Sequence, residues 1–143
     1  MDRIERERRL LQKVVAVGGF VPVAVGLFGV LFGPTLTGDV GLSVSGDSHY
    51  RYLSGLLLGV GLLFWSCIPA IEEKTGRFQC LTLIVVAGGL ARLLGLGLTG
   101  IPSLAMLGAL AMELFVTPVL CLWQARVARQ HRRPPQDEAA KPT

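Results

Sequence analysis

The sequence predicts an all-α fold: a polytopic integral membrane four-helix bundle with both termini on the cytoplasmic side. Three observations lead there. Four apolar stretches in the 143-residue chain approach the ~20 residues that cross a ~30 Å hydrocarbon core. The charged residues gather at the ends and in short turns, whereas a soluble domain spreads them along every element. Five lysines and arginines fall in residues 1–13, two in the 72–77 turn and five after residue 123, against Arg51 alone on the other side. The positive-inside rule then places both termini and that turn in the cytoplasm.

Each element has its own justification. Residues 1–13, MDRIERERRLLQK, form a basic cytoplasmic arm in which Glu5 can pair with Arg8 or Arg9 one helical turn on. Span 1 is expected over about 12–33. Its apolar core exceeds the roughly 7–15 residues of a signal-peptide core, and no A-x-A cleavage site follows, so it reads as a retained helix. Gly18, Pro22, Gly26, Gly29 and Gly33 recur at steps of three or four. Small residues on one stripe let helix backbones approach closely in lipid. Pro22 takes the helical donor away from the Gly18 carbonyl, which predicts a kink.

The 34–48 loop is rich in Gly, Ser and Thr, carries no lysine or arginine, and faces outward. Span 2 covers about 49–71, with Asp47 or Ser48 as its N-cap. An Asp47–Arg51 pair, a Gly55–Gly59 close contact and a bend at Pro69 are expected within it. The 72–77 turn is short enough to make spans 2 and 3 antiparallel neighbours. Spans 3 and 4 cover about 78–98 and 102–123, joined by TGIPS. Residues 14–123 are thus one four-helix domain, followed over 124–143 by a basic stub and a disordered cytoplasmic tail.

Spans 3 and 4 each hold one full charge, Arg92 and Glu113, inside otherwise lipid-like sequence. An isolated charge at that depth costs roughly 2.5–3.5 kcal/mol on insertion scales, so a partner is expected. At 1.5 Å per residue, Arg92 lies roughly 9 Å and Glu113 roughly 15 Å below the outer ends of their helices. Side chains lean toward the N-terminus of their helix. Arg92 therefore leans inward across Gly88 and Gly89, Glu113 leans outward, and a direct pair is feasible. Asp47, His49 and Arg51 come to the outer mouth, so an outward-opening polar cavity is expected. Its candidate ligand-binding residues are Arg92, Glu113, Arg51, Asp47 and His49. Glu113 and Arg92 are the candidate catalytic pair should the cavity be an active site. The competing reading makes Arg92–Glu113 a buried latch that fixes register.

Composition narrows the chemistry. The net charge of +4 is explained by membrane-flanking residues, so no nucleic-acid partner is expected. Cys67, Cys80 and Cys121 form no CxxC pair, and an odd count gives no disulfide framework. The chain carries no HExxH, GxSxG or phosphate loop, so nothing in it supports metal, serine or nucleotide chemistry. His49 beside Asp47 is too sparse a pattern for a metal site. Neither cofactor nor metal is expected.

The segments DSHYRYLSGLLLGVGLLFW, IPAIE, GGLARLL, GIPS and MELFVTPVL stand in this order and spacing. They resemble the bacterial membrane proteins grouped as domain of unknown function 4345, over about residues 45–125. Arg51, Gly-Gly-x-x-Arg92, Pro102 and Glu113-x-x-x-x-Pro118 carry the likeness, and span 1 matches only in being apolar. The resemblance implies a compact four-helix bundle and implies no activity.

Three functional expectations follow, in order of preference. The first is a non-catalytic accessory subunit or binder of a lipid-like ligand in the bacterial inner membrane. Its partners would be membrane lipid, partner membrane subunits or further copies of the chain. The second is a small membrane enzyme for a sterol- or isoprenoid-like substrate, with Glu113 as acid/base. The third is a proton-coupled carrier, against which an Arg92 that neutralises Glu113 would count.

Overall fold

The computed structural model describes residues 3–37 and 41–132, and among them there is no strand. Helix α1 runs Arg3–Phe32, α2 Val44–Trp65, α3 Thr75–Thr99 and α4 Leu104–His131. All four are long and apolar enough to cross a membrane. The chain is therefore all-α with four helices of spanning length, as the apolar stretches predict. It divides into two compact units, Gln12–Pro69 and Met1–Leu11 with Ala70–Thr143.

The helices begin and end differently from expectation, and each difference has a local cause. The basic arm is continuous with α1, because Arg3–Glu7, Glu5–Arg8 and Glu5–Arg9 ion pairs staple its turns. Helix α2 starts at Val44 because Ser43, and neither Asp47 nor Ser48, caps it: its hydroxyl accepts from the Gly46 amide at 3.2 Å. At its far end α2 stops at Trp65, and Pro69 sits in a short 3-10 turn, Ile68–Ala70. Helix α4 continues through the basic stub to His131. The tail expected over 134–143 lies outside the described residues.

In the Gln12–Pro69 unit, α1 and α2 meet along a seam of small residues, as the stripe predicts. A methyl group built on Gly26 would lie 2.6 Å from the Leu58 backbone nitrogen, and one on Gly61 2.7 Å from a Val23 methyl. Gly29 faces the Ser54 hydroxyl with no room for a side chain. Trp65 closes the seam by donating its indole N–H to the Ala16 carbonyl at 3.0 Å over Gly19. Two expectations need correcting. Gly18 and Gly59 meet nothing, and Gly55 only skirts Val30 at 3.9 Å. The close partners are Gly19, Ser54 and Gly61, which a GxxxG search passes over.

The other unit has its core at the end where the arm, the 72–77 turn and the last turns of α4 converge. Leu11, Ile71, Phe78, Leu81, Val127 and Ala128 are buried there. Gln124 is fully buried and donates to the Ile71 carbonyl at 2.6 Å and the Thr75 hydroxyl at 3.0 Å, tying α4 to the start of α3. Arg8 reaches Glu72 at 2.6 Å; the carboxylate is only 7% exposed and holds the guanidinium pKa above its ordinary value.

Gly26→Ala should lower the melting temperature of the detergent-solubilised protein, an overpacking cost of about 1–3 kcal/mol. Gly59→Ala should leave it unchanged or raise it by the helix propensity of alanine, under about 1 kcal/mol. Equal effects at the two sites would refute the seam. The arm makes a second prediction. The hydrogen bond from Arg9, with the charges of Arg8 and Arg9, holds the Glu5 carboxyl below its ordinary 4.5. A lowered carboxylate pKa stabilises the fold above the unfolded value and stops doing so as pH falls through the folded one. Amide exchange across residues 3–9 should therefore accelerate below pH 4.5, and Glu5→Gln should remove that acid step.

Candidate functional site

The seam ends at Gly33, where a positive φ of 64° turns the chain out of α1. That residue has to be glycine on two counts. Its φ disfavours a side chain, and a methyl there would lie 2.7 Å from Arg51 Nη2 and 2.8 Å from Asp47 Oδ1. Arg51 uses this opening to cap α1. Its Nη1 donates to the carbonyls of Val30 at 2.7 Å and Leu31 at 3.2 Å, while Nε donates to Asp47 Oδ2 at 2.8 Å. A guanidinium on the last carbonyls of a helix satisfies orphan acceptors and meets the negative end of its dipole.

His49 goes elsewhere. Two residues from both Asp47 and Arg51, it lies on the opposite side of α2 and lines a shallow depression of about 560 Å³ with Val44, Ser45, Ser48 and Tyr52. The structure thus joins Asp47 to Arg51 and separates His49 from both.

Arg92 and Glu113 meet as the lean of their side chains predicts. Nε donates to Oε2 and Nη2 to Oε1, each at 3.0 Å, in the parallel two-bond geometry that suits guanidinium and carboxylate. The remaining nitrogen, Nη1, sits 3.0 Å from the Met106 thioether, two turns earlier on α4. All three guanidinium nitrogens are therefore engaged. The approach of the helices depends on Gly89, where a methyl would lie 2.8 Å from Leu114 Cδ2 and 2.9 Å from Glu113 Cβ. Gly88, also expected to clear the way, meets nothing within 4 Å.

Beside this pair α4 is not regular. Residues Met112–Val116 form a π turn, and the Thr117 amide and hydroxyl both return to the Met112 carbonyl. Pro118 explains it. In an α register its ring would clash with the Leu114 carbonyl and supply no donor; one wider turn absorbs both faults. Such turns frequently mark functional sites. Sequence reading noted Pro118 but not this consequence, and it missed Gln124, Glu72 and Met106. A proline inside an apolar run, and a glutamine at its end, were the available signals.

Cys67 is buried with its thiol 3.4 Å from the Leu63 carbonyl, Cys121 is partly buried and Cys80 is exposed. The model of the family described as Domain of unknown function (DUF4345) matches residues 10–124. The chain belongs to that family. Membership in DUF4345 takes in most of α1, a wider reach than the 45–125 carried by the motifs. No curated protein and no solved structure matches the chain.

A double-mutant cycle measures what the pair does. Breaking a buried ion pair by removing one partner costs about 3–5 kcal/mol. With the side chains 35% and 19% exposed, Arg92→Leu or Glu113→Leu should each cost less, about 1–3 kcal/mol by the same reasoning. Arg92→Leu with Glu113→Leu should recover most of it in thermal unfolding. A double variant as unstable as the sum of the singles would show that the two residues act separately.

Proposed function

We propose that this is a multi-pass protein of the bacterial cytoplasmic membrane, with both termini inside, and that its role is non-catalytic. It serves as an accessory subunit for partner membrane helices or holds a lipid-like ligand. One observation carries the reading: the single acid and the single base within the third and fourth spans are spent on each other. A general acid or base must reach a substrate proton at about 2.6–3.2 Å and exchange it. Glu113 instead has each oxygen on an arginine nitrogen. The same neutralisation weakens the carrier reading, which needs a carboxylate free to trade its proton for a cation.

Lysine and arginine placement supports the orientation, twelve to one in favour of a cytoplasmic arm, 72–77 turn, stub and tail. The broad apolar surface supports partners or lipid as the protein's surroundings. Leu83, Leu94 and Phe115 are among the exposed residues within its spans, and in a bilayer only acyl chains or other helices can cover them. The polar end of a lipid-like ligand would find Asp47 and Arg51 at the end of the α1–α2 seam.

A second reading, an enzyme with Glu113 as acid/base, has one feature in its favour, the π turn at that residue. Native mass spectrometry of the protein extracted in mild detergent separates the two. A stoichiometric membrane partner, a second copy or a retained lipid-like molecule is the expected result. A bare monomer would overturn the proposal. Turnover of an isoprenoid-like substrate that Glu113→Gln abolishes without loss of folded protein would replace it with the enzyme.

A further inference from the structure

Helix α4 carries a stripe that neither its core nor the Arg92–Glu113 pair uses. Phe115, Val119, Leu122, Arg126 and Arg129 follow at steps of four, three, four and three, the spacing that keeps residues on one helix face. The first three are apolar and open, 71%, 61% and 73% exposed. The last two are arginines, and with Leu122 and Gln130 they line a depression of about 400 Å³. The opposite face, through Gln124, Val127 and Ala128, is the buried one. Leu122 and Arg126 are one turn apart, roughly 6 Å along the axis. The stripe is an apolar track that runs into two cations where the apolar sequence of the span ends.

We infer that this stripe binds one anionic phospholipid of the adjoining leaflet, with its phosphate on Arg126 and Arg129 and an acyl chain along Leu122, Val119 and Phe115. Charge complementarity selects the occupant. Arginine's fork suits phosphate oxygens, and basic pockets at the ends of membrane spans are where lipid headgroups dock. Arg126 is loosely oriented by Glu7 on the arm, 3.6 Å away, and Glu7 is shared with Arg3. The group therefore keeps a net positive charge. The negative end of the α4 dipole lies just beyond Arg129, so the backbone does not attract the anion and the two side chains must. The Gln130 carbonyl oxygen is buried without a partner.

The test uses the full chain in nanodiscs of equal parts phosphatidylglycerol and phosphatidylcholine. Native mass spectrometry after ejection counts retained lipid. The wild type should keep one phosphatidylglycerol in preference to phosphatidylcholine. Arg126→Gln with Arg129→Gln should reduce that retention by about tenfold, the scale of two cations at an anionic surface. Arg129→Gln alone, which leaves the contact to Glu7 in place, should give part of the loss and guards against misfolding of the double variant. Arg6→Gln with Lys13→Gln removes the same charge away from the stripe and from Glu7 and should change little. Arg92→Leu with Glu113→Leu should also change little, so a failure of the stripe is distinguishable from a failure of the proposed ligand role. No preference in the wild type, or equal loss in the Arg6 and Lys13 control, overturns the inference. Displacement by inorganic phosphate at equal concentration would make it a free-anion site, and an acidic protein bound there in place of lipid would also overturn it.

Discussion

Arg92 and Glu113 exchange two hydrogen bonds across α3 and α4 in sequence that otherwise offers almost nothing polar. Neither charge is tolerable in such surroundings alone, so the position of each dictates the position of the other. The condition reaches beyond the pair. Helices α3 and α4 must lie side by side at this depth and at this rotation, which only Gly89 permits. Arg51 imposes the same kind of condition on α1 and α2. Its guanidinium must end on the Val30 and Leu31 carbonyls, and Gly33 must stand aside for it. Each helical pair is thus keyed by one arginine and one glycine.

Small residues and charges divide the work between them. Between two helices in lipid there is no hydrophobic driving force, so contact depends on close packing and on interhelical hydrogen bonds. The α1–α2 seam supplies the packing through Gly19, Gly26, Gly29 and Gly61, and Trp65 and Arg51 supply a hydrogen bond near either end. At the end of α4 the logic approaches that of a water-soluble protein. There the arm, the turn and α4 enclose Leu11, Ile71, Phe78 and Val127, with Gln124 and Glu72 as paired polar groups inside. Arg8 ties the arm to this core, so the first turns of α1 belong with α3 and α4 in packing terms.

The sequence showed much of this, and what it hid has physical reasons. Spans were legible because hydropathy is a property of composition summed over many residues. The Arg92–Glu113 pair was legible because depth and side-chain lean follow from helix geometry alone. The Asp47–Arg51 pair followed from one-turn spacing. What Arg51 does with its other nitrogens was not legible, because its partners are backbone carbonyls of another helix and leave no trace in side-chain pattern. Gly19 and Gly61 were missed for a related reason. A glycine's close neighbour depends on the rotation of two helices about their axes, and α2 offers Ser54, Gly55, Gly59 and Gly61 as small residues near that level. Helix α2 began earlier than expected because Ser43 and Asp47 are both good caps, and the choice between them rests on where the preceding loop turns.

The π turn connects the remaining pieces. A regular helix presents residues 113 and 114 about 100° apart, so only one of them would face a given point on α3. At Gly89 both do: the nearest atoms to a methyl there come from Glu113 and Leu114 alike. Both lie within the wide turn that accommodates Pro118. From that turn the Glu113 carboxylate meets Arg92 while Leu114 packs at Gly89. Gly89, Arg92, Glu113 and Pro118 are separate marks in the sequence and one mechanical unit in the fold. A chain that kept the two charges and lost the proline would keep the attraction, and the wide turn beside it would lose its cause.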